Sequence, residues 1–130
     1  MDLGQLKVSF DSVEFRLIHP VTQIELDGPT DPIFWMLSPQ HDKVQAVKKK
    51  LTDSVYRRKK KDVEPEVIEK TVLDILIACI DNWQNIELDG EPLEFSKQNA
   101  EKLLSDPAFG WVRNQIQEFV DTESNFFKKH

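Results

Sequence analysis

The sequence predicts an α+β fold, predominantly helical, with about four helices around a central apolar helix (66–82) and a small N-terminal antiparallel sheet or hairpin. Three observations lead there. Apolar and polar residues alternate over 13–17 and again over 24–27, the period of a half-buried strand. Beyond residue 38 the apolar residues recur at steps of three and four, the period of a helix face. Cap residues followed by proline mark the junctions between these runs. At 130 residues the chain fits one domain, with 1–37 its β-rich part and 38–130 its helical part.

In the first strand Val13, Phe15 and Leu17 share one face. Leu6, Val8 and Phe10 alternate out of phase with it, as a separate arm or as a strand offset by a bulge near Ser12. His19-Pro20 reads as a turn, because proline blocks helix there. Ile24 and Leu26 form a second alternating run, stopped by Gly28-Pro29. Ile33–Leu37, apolar throughout and bounded by Pro32 and Pro39, suits a third and more buried strand.

Ser38 with Pro39 predicts a helix start, and Val44, Val47, Leu51 and Val55 give that helix a narrow apolar stripe as far as about Lys61. The next helix, from about Glu66 to Asn82, opens on acids that favour the positive helix end and is apolar almost all round from Val72 to Ile80. A helix without a polar face belongs at the centre of a core or an interface. Asp89-Gly90 is a turn signal that brings Leu88 towards Leu93. Ser96 caps a short helix over 97–105. Asp106-Pro107 then opens a last helix that carries Val112, Ile116, Phe119, Val120 and Phe126-Phe127 and ends on Lys128-Lys129.

Composition narrows the function classes. No apolar run approaches the roughly 18 residues of a membrane span. The N-terminus lacks the charged-then-apolar pattern of a secretory signal, so a reducing cytoplasm is the expected compartment. Cys79 is the single cysteine and the three histidines have no ligand spacing, which leaves no metal or cofactor site to expect. No phosphate loop, nucleophile elbow or zinc-protease helix occurs, so no catalytic residue is assigned and the chain reads as non-enzymatic. Asp89 and Glu91 are explained by turn chemistry, and Cys79 reads as a buried, inert thiol.

The formal net charge of −6 conceals a pattern: residues 1–42 carry −5, residues 43–61 carry +8 and residues 62–130 carry −9. A basic block between acidic ones fits self-complementary surfaces or a local anion site. Arg57, Arg58, Lys59, Lys60 and Lys61 are its densest part. They suit an acidic protein surface, a second copy or nucleic acid, and only Tyr56 supplies the aromatic interleaving that single-strand binding uses. The alternative to a protein-binding role is thus a small nucleic-acid-binding regulator using the 43–61 helix. Most of the three tryptophans and eight phenylalanines are expected in the core. Phe126 and Phe127 read instead as an unpartnered pair at a frayable terminus, and with Trp111 they are the apolar candidates for partner contact.

The order Trp83-x-x-Ile86-x-Leu88-Asp89-Gly90-Glu91-Pro92-Leu93-Glu94-Phe95-Ser96-x-x-Asn99, then Leu103-Leu104, then Asn125-Phe126-Phe127-Lys128-Lys129, resembles the tail assembly chaperones of long-tailed, lambda-like bacteriophages. Phe15-x-Leu17-x-His19-Pro20-x-Thr22 looks like the N-terminal part of the same small proteins, while residues 43–65 carry no motif of that family. The resemblance implies a morphogenetic protein without catalytic activity. It would coat the long helical tape measure protein and keep it soluble in the host bacterial cytoplasm. It would help recruit tail tube protein through a frameshift-extended form, and be absent from the mature virion. The codons for Asn125-Phe126-Phe127 can include a slippery run of U, which permits such a frameshift. The charge blocks add an expectation of homo-oligomers, as a ring or helical array.

Overall fold

The computed structural model describes residues 2–57 and 65–127. Among them, Val13–Arg16 (β1), Ile33–Met36 (β2) and Ile80–Gln84 (β3) form a three-stranded antiparallel sheet in the order β1-β2-β3. Helix α1 is Asp42–Arg57 and α2 is Pro65–Ala78. Glu87–Leu88 (β4) and Glu91–Pro92 (β5) make a small hairpin, followed by α3 (Lys97–Ser105) and α4 (Gly110–Asp121). The fold is therefore mixed helix and sheet, with the expected helices and an antiparallel sheet.

The sheet differs from expectation in its third member. The anticipated helix over 66–82 stops at Ala78, and the chain turns directly into β3. The cause is a bulge. Trp35 pairs with Asn82 while Met36 pairs with Ile80, so Asp81 is an extra residue on β3. Ile80 and Trp83 consequently both face inward although they stand three apart, and they continue the helical spacing of Leu73, Leu76 and Ile77. An inward pair three apart in a bulged strand looks like one more helical turn.

Helix α2 is also not enclosed by the others. Leu73, Leu76 and Ile77 are buried, but Ile68 is 54 % exposed and Val72 43 %. The 24–27 run forms no full strand: it pairs with the residues just beyond β1 through the isolated bridge Ile18–Glu25. The expected third strand over 33–37 is instead the middle strand, β2, where Phe34 and Met36 are completely buried. The sheet thus draws β3 from the segment assigned to the helical part.

Helix boundaries shift for local reasons. Residues 38–41 form a turn in which Ser38 Oγ accepts from the Gln40 N–H (3.1 Å), and α1 begins at Asp42 with His41 Nδ1 accepting from the Lys43 N–H (3.0 Å). The part of the expected basic helix beyond Arg57 lies outside the described residues. Ser96 caps α3 as expected, its Oγ accepting from the Asn99 N–H at 3.0 Å. Asp89 and Gly90, at φ 53° and 83°, make the two-residue turn joining β4 and β5, a conformation for which Asp-Gly is suited. Asp106 caps a 3-10 turn over Pro107–Phe109 before α4 starts.

The last helix ends at Asp121, and a 3-10 turn over Glu123–Phe126 follows. That turn swings Phe126 into the core. Phe126 is 1 % exposed, edge-on to Phe119 at 5.5 Å, and its carbonyl accepts from the Ser9 N–H at 2.7 Å. Phe127 is half-buried and bridges Val8, so the N-terminal segment is an arm that pairs with the end of the chain. The expectation of an unpartnered Phe126-Phe127 pair is corrected accordingly. Phe126→Ala should lower stability by about 3–5 kcal/mol in chemical denaturation, as truncation of a buried phenylalanine does. A change below about 1 kcal/mol would contradict its place in the core.

Candidate docking surfaces

The sequence-predicted contact residues are spread out. Trp111 lies in the first turn of α4, half-buried against the core. Phe126 and Phe127 lie beyond the other end of that helix. Arg57 is the last described residue of α1, and Arg58, Lys59, Lys60 and Lys61 fall outside the described residues. Asp89 and Glu91 belong to the β4–β5 turn and its flank, as turn chemistry requires. Among the described residues no group of three or more His, Cys, Asp or Glu side chains is placed to hold a metal ion. No described helix is long and apolar enough to cross a membrane.

The chemically notable surfaces are apolar. Leu3, Leu6 and Phe10 on the arm are 73 %, 55 % and 55 % exposed. Ile68 and Val72 share one face of α2 at i, i+4 spacing. Among the described residues the most exposed of the larger apolar side chains is Val21, at 82 %, followed by Leu3 and then Ile24, at 67 %. Val21 and Ile24 sit on a turn over 19–24, of which Val21 was expected in a turn and Ile24 in the alternating run that follows it.

That turn is tightly held. His19 Nδ1 accepts from the N–H groups of both Val21 and Thr22, each at 3.1 Å. The His19 N–H donates to the Ile24 carbonyl, and the Gln23 N–H to the His19 carbonyl, at 2.9 Å each. Gln23 takes a left-handed φ of 62° and donates from Nε2 to the Pro20 carbonyl. Below the turn, Gln115 of α4 clamps Ile18 through both ends of its amide at 2.8 Å. A polar scaffold therefore fixes two apolar side chains in water. The signal in the sequence was Val21 and Ile24 flanking polar turn residues immediately after His19-Pro20.

Apolar grooves also lie on the described surface. One of about 220 Å³ lies between β1 and α4, with Phe15, Ile18 and Phe119 as its apolar part and Gln115, Glu118, Thr122 and Asn125 as its polar part. Another, of about 210 Å³, has a floor of Val47, Ile77, Ala78, Ile80 and Phe95, with Lys43 and Lys97 beside it. Lys43 also reaches Asp81 at 3.8 Å. No protein family, curated protein or solved structure matches this chain.

Cys79, at the helix-to-strand junction, is 1 % exposed. Burial, with the Asp121 carboxylate adding to it, pushes the thiol up from 9.0 to about 12. Between these values the unfolded chain loses the thiol proton while the native chain retains it. Stability must therefore fall as pH rises through that window, by up to about 1.4 kcal/mol per pH unit from this group. Denaturation of the native chain and of Cys79→Ala across pH 9–11 should show the extra slope only in the former. Equal slopes would contradict the shielding of the thiol.

Proposed function

We propose that this chain is a tail assembly chaperone of a long-tailed bacteriophage, a non-enzymatic protein that binds and solubilises the tape measure protein and its own copies. The observation that carries the reading is the set of apolar side chains held in water on ordered backbone: Val21 and Ile24 on the 19–24 turn, Ile68 and Val72 on α2, and Leu3, Leu6 and Phe10 on the arm. A coating subunit needs apolar contacts of this kind, spread over several faces, to shield the apolar face of a long helix before assembly. Small patches give contacts weak enough to be displaced when tube subunits arrive. The ordered motifs of 83–99 support the same reading through their resemblance to that family. In it the chain acts in the host cytoplasm, recruits tube protein through a frameshift-extended form, and is absent from the virion.

Co-expression with the tape measure protein encoded beside it tests the proposal. The tape measure protein should remain soluble and co-purify with this chain, and should precipitate without it. A tape measure protein that stays insoluble in both cases would overturn the reading. The three consecutive exposed lysines of α1, Lys48, Lys49 and Lys50, define the rival. A shift of DNA or RNA by this chain in ordinary salt would favour the regulator over the chaperone.

A further inference from the structure

The ordered apolar turn and the lysine-flanked groove belong to opposite edges of one sheet. The turn over 19–24 extends from the end of β1, whereas the groove is built on β3 and the adjoining parts of α1 and α2. The turn is exposed, so it does not occupy the groove of its own chain. We infer that the two are complementary: the 19–24 turn of one copy seats Val21 and Ile24 in the groove floored by Val47, Ile77, Ile80 and Phe95 of the next.

Charge selects a second copy as the occupant. Between Arg16 and Lys43 the chain has no lysine or arginine, and Glu25, Asp27 and Asp31 follow the turn, with Arg16, which donates to the Gly28 carbonyl at 3.2 Å, offsetting part of their charge. At the groove, Lys43 and Lys97 are exposed, and Lys50 lies two turns further along α1, on the side of Val47. Asp81 offsets part of this through Lys43. An acidic, apolar knob thus faces a largely basic, apolar socket, which favours encounter in one orientation. The knob is also rigid before contact, since His19, Gln23 and Gln115 fix its backbone. Little conformational freedom is left to lose on docking. A contact between two different surfaces is heterologous, and it propagates into a ring or an open array instead of stopping at a dimer.

This inference assigns surfaces to the self-association within the proposal above. Its readout, sedimentation of the purified chain alone, is separate from tape measure solubility, so either can fail without the other. The native chain should sediment as species that grow with concentration at low salt and shrink as salt is added. Val21→Asp combined with Ile24→Asp should weaken association by about tenfold or more, as should Val47→Glu. Lys97→Glu alters only an exposed side chain and should weaken it less, with Asp27→Lys restoring part of the loss. The decisive sample mixes the turn variant with the groove variant. Each retains the surface the other lacks, so the mixture should form a dimer and nothing larger. A native chain that is monomeric throughout, association that survives both blocking variants, or a mixture without dimer would overturn the inference.

Discussion

A row of aromatic rings crosses the sheet, and the rest of the structure depends on it. Phe126 meets Phe119 of α4, which meets Phe15 of β1 at 4.6 Å. Phe15 meets Phe34 of β2, Phe34 meets Trp83 of β3 edge-on at 6.0 Å, and Trp83 meets Phe95 at 5.1 Å. Six rings from six separate segments thereby form one chain of contacts. Each pair adds about 0.5–1.5 kcal/mol beyond the burial itself. Phe34, wholly enclosed at the centre of the middle strand, links its two halves. The end that passes through Trp83 is anchored as well as packed, because the indole N–H donates to the Leu93 carbonyl at 2.8 Å and ties the segment after the β4–β5 hairpin to β3.

This row determines which surfaces are left over. With β1 held to α4 through Phe15 and Phe119, the hairpin beyond β1 has to project past the sheet, and its tip carries Val21 and Ile24 into water. With α2 turning straight into β3, the junction at Cys79 is sealed on the inside, and a groove opens on the outside beside Ile80 and Phe95. Phe126 is used inside the row, so the turn, the exposed face of α2 and the arm carry the apolar side chains left in water. The function we propose then resides in side chains that the core does not consume.

Signals confined to a few neighbouring residues were legible in the sequence. The Ser96 cap, the Asp89-Gly90 turn, the Asp106-Pro107 device, the turn role of His19 and the burial of Cys79 all depend on local chemistry or on one strongly apolar run. Strand β3 was not legible, because the bulge at Asp81 gives its inward residues helical spacing. Neither was the position of Phe126: its burial follows from a 3-10 turn after α4 and from Ser9, more than a hundred residues away in sequence, pairing with its carbonyl. Val21 and Ile24 were missed as a surface because an alternating pattern reports which residues could share a face, and says nothing of whether another element covers that face. The basic run at 57–61 remains a sequence feature.

Substitution of the central ring tests this account most directly. Phe34→Ala should lower stability by about 3–5 kcal/mol, with tryptophan fluorescence and helical circular dichroism changing together in a single denaturation transition. That result is expected if one aromatic row unites the sheet, α4 and the segment after the hairpin. A loss below about 1 kcal/mol, or separate transitions for fluorescence and helix content, would contradict it.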